Sequence, residues 1–280
     1  MPRLIELLQH ALQQNVARID AQMLLLHACG RAAQDRAWLL AHDQDMATPE
    51  QATQWHAALQ RRLAGQPVAY ITGYKEFYGL RLNITADVLD PRDDTETLVD
   101  WALELIPKDK PFKVLDLGTG SGAVALAIAS QRPRAQVTAT DACPSALAMA
   151  QSNATALQLP VRFVLANIKD THWFSRLESN TFDIIVSNPP YIAEGDSHLA
   201  ALQHEPAMAL TSGADGLDAI RSIIAHANHH LSPTGWLVLE HGHDQATAVR
   251  QLLTRQSFVS AQTRQDIAGV DRCTSAQRAA

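Results

Sequence analysis

Beyond residue 110 the chain switches repeatedly between short β-branched runs and helical patterns, and this alternation constrains the fold more than any other feature. Strands are expected near 112–117, 136–140, 161–165, 182–187 and 235–240, with a weaker one near 257–262. Strands separated by helices cannot pair through tight hairpins. They cross over and build a doubly wound, mostly parallel sheet. Helices cover both faces of such a sheet. Its strands therefore read as continuous apolar runs, as in Phe182-Asp183-Ile184-Ile185-Val186-Ser187, rather than as strict alternation. Ligands bind in open sheets of this kind beyond the carboxyl ends of the strands. The residues that follow each run are the first place to look for function.

Two of those strand ends carry chemistry. Lys113-Val114-Leu115-Asp116-Leu117 runs into Gly118-Thr119-Gly120-Ser121-Gly122 and then into a helical pattern from Ala123 to Ser130. Glycines at a strand-to-helix turn let a ligand approach the backbone and set it at a helix N-terminus. The spacing is G-x-G-x-G, not the dinucleotide fingerprint G-x-G-x-x-G, and Asp116 precedes it closely. Asp141 ends the next strand roughly 20 residues on, where an acid can take both hydroxyls of a ribose. The second strand end is Asn188-Pro189-Pro190-Tyr191. Two prolines fix φ and remove two backbone donors, which leaves a rigid corner of acceptors: the Asn188 side-chain oxygen and the Pro189 carbonyl. Such a corner can hold a planar –NH2 group by both hydrogens. Together these features look like a Rossmann-like class I methyltransferase dependent on S-adenosylmethionine and acting on an amine or amide nitrogen.

Composition narrows the class further. The 280 residues are 46% hydrophobic and 19% charged, ample for a core and consistent with two domains. The net charge of −6, with no Lys/Arg run beyond Arg61-Arg62, argues against a duplex-DNA binder. Cys29, Cys143 and Cys273 are far apart and lack metal spacing, so free thiols in a reducing cytosol are expected. The N-terminal segment has no apolar core for a signal peptide, and no stretch is long enough to span a bilayer. A cytoplasmic monomer is expected, with no bound metal, no membrane and no direct nucleic-acid contact.

The first 70 residues read as helices only. Leu4, Leu7, Leu8, Ala11 and Leu12 keep helical spacing, as do Ala21, Leu24, Leu25 and Ala28. A third helix is expected near Gln34 to His42. A fourth is punctuated by Thr48 as N-cap, Pro49 at the first position, Gln51 completing a capping box and Gly65 past the end. Tyr70-Ile71-Thr72-Gly73 and Glu76 to Ile84 alternate and suggest a β-hairpin. The expected organisation is a helical bundle over 1–70, a hairpin linker over 71–90 and an α/β catalytic domain over 91–280, opened by a helix from Asp94 to Ile106.

The chain resembles the HemK/PrmC family of protein-(glutamine-N5) methyltransferases along nearly its full length. The resemblance rests on Arg18-x-Asp20-Ala21-x-x-Leu24-Leu25-x-His27-x-x-Gly30 and on Arg61-Arg62-x-x-Gly65-x-Pro67-x-Ala69-Tyr70-x-x-Gly73. It continues through Glu76-Phe77-Tyr78-Gly79, Pro91-Arg92-x-Asp94-Thr95-Glu96, the glycine turn, Phe182 to Ile192, Glu205-Pro206 and Leu239-Glu240-His241-Gly242. It implies methylation of the glutamine in the Gly-Gly-Gln loop of peptide-chain release factors, an event in translation termination. It also implies S-adenosylmethionine on Gly118, Thr119, Gly120, Ser121, Gly122, Asp141 and Asn188, with Trp173 against the adenine. Catalysis would fall to Asn188, Pro189, Pro190 and Tyr191, the last walling the pocket.

The chain departs from the family at Asp90-Pro91-Arg92-Asp93, where Ile-Pro-Arg-Pro is usual, and across Asn167 to Phe174, where a short Asp-Trp-Phe is stretched. Asp170, Asn167 and His172 stay open as the adenine partner. Glu205 either meets substrate or braces the Asn188 loop. Arg92 either meets a substrate carbonyl or pairs with Asp94. Asp141 has a plain alternative as a helix N-cap. His226, His229 and His230 have metal-like spacing, but a solvated helix face explains them, and His241 and His243 lie after a strand end. The competing functions are an exocyclic-amine methyltransferase on DNA or RNA bases, a cofactor-fold binding module and an NAD oxidoreductase.

Overall fold

A computed structural model describes residues 1–167, 177 and 181–280. They form two compact units, Met1–Tyr74 and Lys75–Ala280.

The first unit is helical: α1 (Leu4–Gln13), α2 (Arg18–Ala28), α3 (Arg36–Ala41), α4 (Pro49–Leu63) and α5 (Val68–Thr72). The apolar faces of α1 and α2 close over Trp55 and Leu59 of α4, both fully buried. The start of α4 carries its reciprocal cap: Gln51 N donates to Thr48 Oγ1 at 3.2 Å and Thr48 N donates to Gln51 Oε1 at 2.9 Å. Arg62 ties α4 to α2 through Asp20 at 2.8 Å. One expectation fails here. Tyr70-Ile71-Thr72 belongs to the short helix α5, not to a strand. Ala69, Tyr70 and Ile71 are all buried, and three consecutive buried residues do not fit an alternating edge. Arg61 donates to the Tyr70 carbonyl at 2.9 Å, so a carbonyl that a one-turn helix leaves unpaired finds a partner. The hairpin is shorter, β1 (Tyr74–Phe77) with β2 (Leu80–Asn83).

The second unit holds the α/β domain. A 3-10 turn, Asp93–Thr95, leads into α6 (Glu96–Leu105), so the helix anticipated from Asp94 starts two residues later. There follow β3 (Phe112–Leu117), α7 (Ala123–Gln131), β4 (Ala135–Asp141), α8 (Pro144–Leu157), β5 (Val161–Leu165), β6 (Phe182–Ser187), α9 (Asp218–His230) and β7 (Leu231–Glu240). The chain closes with α10 (Ala246–Arg255), β8 (Phe258–Gln265) and β9 (Asp271–Arg278). Among the described residues the sheet has the order β5-β4-β3-β6-β7-β9-β8. β3 to β7 are parallel, while β9 runs antiparallel between β7 and β8. This is the Rossmann-like class I methyltransferase architecture. Helix α7 is buried from Ala123 to Ala129, which explains its lack of a polar face. Strand β9 was not anticipated. Cys273, Thr274, Ser275 and Ala276 are all buried within it, but small polar residues carry no strand signal. Among the described residues no helix is long and apolar enough to cross a membrane.

From β3 the chain proceeds to β4 and β5 on one side, then returns to add β6 and β7 on the other. The reversal point lies between β3 and β6, where open sheets of this type bind ligands.

Candidate active site

The sheet register lines up the strand ends. Leu117 is paired with Thr140 of β4 and with Ser187 of β6, and Ser187 with Leu239 of β7. The next residues along, Asp141, Gly118, Asn188 and Glu240, therefore form one row at the carboxyl edge. At about 4.8 Å per strand the row spans roughly 15 Å. Ser187 Oγ donates to the Leu117 carbonyl at 2.7 Å and locks the two central strands at this point.

The glycine turn from Gly118 to Gly122 is clamped from below and from both sides. Gly118 N and Thr119 N both donate to the Thr140 carbonyl at 2.9 Å. Gly120 N donates to Asp141 Oδ2 at 2.8 Å. Thr119 Oγ1 donates to Asp116 Oδ2 at 2.6 Å; burial pushes this carboxyl up to about 7, against the opposing pull of that hydrogen bond. The Ser121 carbonyl accepts from Asn153 Nδ2 at 2.9 Å. Asn153 is fully buried, and it also exchanges hydrogen bonds with the Asn83 backbone at 2.8 and 3.0 Å, joining β2 to the turn. Nothing in the local sequence singled it out. A Cβ added at Gly120 would meet no atom within 4 Å, whereas one at Gly122 would touch Leu126 at 3.0 Å and Ala150 at 3.2 Å. One glycine thus opens room above the turn and the other admits close packing below it.

Asp141 is half-buried, and burial raises its carboxyl against the lowering effect of backbone donors. Its Oδ1 accepts from Cys143 N at 2.9 Å; the N-cap of α8 is Cys143 and not Asp141, so the plain N-cap alternative fails. A carboxylate has about four lone-pair sites, so the backbone donors Gly120, Cys143 and Ala142 do not saturate it.

Asn188 Nδ2 donates to Thr95 Oγ1 at 3.0 Å. Pro189 is buried behind it. The Tyr191 hydroxyl donates to Glu240 Oε1 at 3.2 Å, and the Tyr191 carbonyl accepts from Gln245 Nε2 at 2.9 Å. A cavity of about 140 Å³ opens beside them, lined by Leu89, Arg92, Asn188, Pro189, Tyr191 and Leu210 among others. Its charged neighbours form ion pairs. Arg92 lies between two carboxylates. It meets Glu205 at 2.5 Å and Asp90 at 3.6 Å, while Asp94 pairs with Arg272 at 3.3 Å. Asp93 takes Lys75 of β1 at 2.9 Å, so each of the two acids peculiar to this segment has a cation beside it. Glu205 is 8% exposed, and its contact with Arg92 supports the cavity wall.

Trp173, Asp170 and His172 lie outside the described residues. Asn167 is exposed just past β5, one residue after Ala166, whose N donates to the Asp141 carbonyl at 2.9 Å. His241 is buried and kept neutral by burial. Its Nδ1 donates to the Gly242 carbonyl and Nε2 accepts from Thr274, each at 2.8 Å. His226 Nδ1 donates to the Ser222 carbonyl one turn back. Among the described residues no group of three His, Cys, Asp or Glu side chains could hold a metal ion.

Comparison with known proteins follows this geometry. The family profile described as Methyltransferase small domain matches residues 95–213, and that of the PrmC N-terminal domain matches residues 4–73. A release factor glutamine methyltransferase of Bordetella pertussis is 45% identical over 258 residues, which cover 91% of this chain and 93% of that protein. One from Xylella fastidiosa (strain Temecula1) is 46% identical over 276 residues, 98% of both chains. A solved methyltransferase structure from Pyrococcus furiosus shares the fold, with a TM-score of 0.55 and 18% identity over 79% of this chain and 98% of that one.

Proposed function

The chain belongs to the release factor glutamine methyltransferases, and from that premise we propose that it methylates the side-chain amide nitrogen of the glutamine in the Gly-Gly-Gln motif of peptide-chain release factors, using S-adenosylmethionine. The observation that carries this reading is the register that sets the glycine turn and Asn188 side by side at the reversal point of the sheet.

The residues fit the cofactor. The turn leaves open room above Gly120. Asp141 is not saturated by its backbone donors and can accept from a ribose, and the N-terminus of α7 favours a carboxylate nearby. Trp173 is assigned to the adenine. When bound, S-adenosylmethionine supplies a methyl group already made electrophilic by the sulfonium. The protein's task is then alignment, because an amide nitrogen is a poor nucleophile.

Asn188 does that work with Pro189. Its Nδ2 is committed to Thr95, which leaves Oδ1 as the acceptor it offers a substrate in the cavity it lines. Oδ1 and the Pro189 carbonyl accept the two amide hydrogens of the substrate. This points the nitrogen at the methyl group and offsets the positive charge that develops on it. Tyr191 packs against the amide plane, and the proton leaves to water after transfer. A glutamine side chain flanked by glycines is narrow enough to enter a cavity of this size. The acidic chain, at net charge −6, does not favour a nucleic acid in its place.

The test is methyl transfer from labelled S-adenosylmethionine to purified release factor, its Gln→Ala loop variant, duplex DNA and bulk RNA. Label on the unmodified factor alone, on glutamine by peptide mass, is expected. Label on nucleic acid and none on the factor would replace this reading with base methylation.

A further inference from the structure

The peptide unit between Tyr191 and Ile192 is held at both ends from outside its own loop. Its N–H, on Ile192, donates to the Leu210 carbonyl at 2.9 Å, and its oxygen, on Tyr191, accepts from Gln245 Nε2 at 2.9 Å. Gln245 stands at the head of α10, where its N donates to the Gly242 carbonyl and its carbonyl accepts from Val249 N, each at 3.0 Å. The side-chain amide makes two further bonds. Nε2 also donates to the Asp215 carbonyl at 3.3 Å, and Oε1 accepts from Gly242 N at 2.8 Å. Gly216 closes the same place by contact. It is buried with φ +76°, and a Cβ there would lie 2.2 Å from the Tyr191 oxygen and 2.8 Å from Gln245 Nε2. Any side chain at 216 would press on the bond between Gln245 and Tyr191.

Resting on the reading of Tyr191 as the wall of the amide pocket, we propose that Gln245, with the bare backbone of Gly216 beside it, is a positioning residue that fixes the Tyr191-Ile192 peptide plane and so holds the Tyr191 ring against the substrate amide.

The three partners call for a primary amide. Two are carbonyls and one is an N–H. An amide side chain is the neutral group that offers two donors and an acceptor at once. A carboxylate would keep Gly242 and set oxygen against both carbonyls, and an ammonium would do the reverse. The bonds matter because they complete the corner. Pro189 and Pro190 fix φ on the way into Tyr191, and the bonded peptide plane after it fixes ψ on the way out. The ring hydroxyl is then within 3.2 Å of Glu240. The same plane is tied to Leu210, which lines the cavity beside Tyr191. Release of Gln245 loosens this wall, and a poor nucleophile depends on alignment. The bonds that hold the glycine turn and Asp141 run to other residues, so cofactor affinity is independent of Gln245.

The test uses the full-length protein with Gln245→Met, Gln245→Glu, Gly216→Ala and the Gly216→Ala/Gln245→Met double variant, with circular dichroism to check that each folds. Gln245→Met keeps the length of the side chain and removes all three bonds. Gln245→Glu keeps its shape and only the bond from Gly242. With release factor as substrate, both are expected to lower kcat by about tenfold to a hundredfold, with S-adenosylmethionine affinity by calorimetry unchanged. Gly216→Ala crowds the same bond and should repeat the loss. The double variant should be little slower than the worse single one, because both changes break one contact. Wild-type kcat in both Gln245 variants, cofactor affinity falling as far as kcat, or multiplied losses in the double variant would overturn the proposal. A second readout needs no substrate: the carbonyl and ring resonances of Tyr191, one of four tyrosines, in 13C-tyrosine-labelled protein, assigned with Tyr191→Phe. In Gln245→Met the carbonyl signal should move upfield and the ring signals should shift with it; ring signals that stay as in the wild type would sink the proposal. If the wild type methylates no release factor, the proposed function fails, while the resonances still decide whether Gln245 positions Tyr191.

Discussion

The loops that leave β3 and β6 start from paired residues, Leu117 and Ser187, yet they are built on opposite principles. The loop after β3 is almost all glycine and serine or threonine, and it faces the cleft with backbone. Its shape is held by other residues' side chains: Asp116, Asp141 and Asn153 each take or give a bond there. The loop after β6 is half proline and faces the cleft with side chains and carbonyls. Its shape is set from inside by fixed φ angles, with Asn188 bonded to Thr95 and Tyr191 to Glu240. The difference follows from what each loop must present. A bulky, flexible ligand needs open backbone. A small planar amide needs two acceptors at fixed spacing and no competing donors.

Breaking each loop separately should separate the two roles. Asn188→Ala has the largest expected effect: transfer falls about a thousandfold or more while cofactor affinity stays as in the wild type. Turnover assays beside calorimetric cofactor titration measure both, and a loss of cofactor affinity would erase the distinction. Asp141→Ala should do the reverse, weakening cofactor binding by about tenfold to a hundredfold and leaving turnover at saturation much less changed.

Substitutions within the glycine turn sharpen the contrast. Gly122 has φ +88°, and an added Cβ would press on Leu126 and Ala150. Gly122→Ala is expected to cost about 1–3 kcal/mol, seen as a drop of several degrees in thermal melting. Gly120→Ala meets no protein atom and should lose less stability but more cofactor affinity. Equal behaviour of the two variants would show that the room above the turn is not the ligand's.

The smallest effect concerns pH. Burial raises the Glu240 carboxyl from 4.5 to about 7, among Thr95, Tyr191, Arg272 and Asp94. The folded state therefore holds this proton more tightly than the unfolded chain. The resulting stability is complete below the unfolded value and is lost as pH rises through about 7. Glu240→Gln does not titrate, so its melting temperature should gain on the wild type as pH rises from about 4 to 8. A constant gap across that range would remove Glu240 from the balance.

Much of the fold was legible because periodicity is a local property. The five apolar runs from 112 to 240 became β3 to β7, and the caps and spacing of α2 and α4 could be read to within a residue. What escaped was set by distant partners. The polar stretch Thr274-Ser275 is a central strand because β7 and β8 flank it and because Thr274 finds His241 and Thr263. Tyr70 to Thr72 is helical because its apolar residues fall on the core and Arg61 takes an end carbonyl. Arg92 pairs with Glu205, 113 residues away along the chain.

The site divides in the same way. By itself the sequence determined the strand ends that carry chemistry, since a glycine turn and an Asn-Pro-Pro-Tyr corner write their backbone demands into neighbouring residues. Only the tertiary structure decided that Asp141, Gly118, Asn188 and Glu240 stand in one row, and that Asn188 meets Thr95 while Tyr191 meets the buried Glu240. Register and burial arise from pairing between strands far apart in the chain, and no local pattern records them.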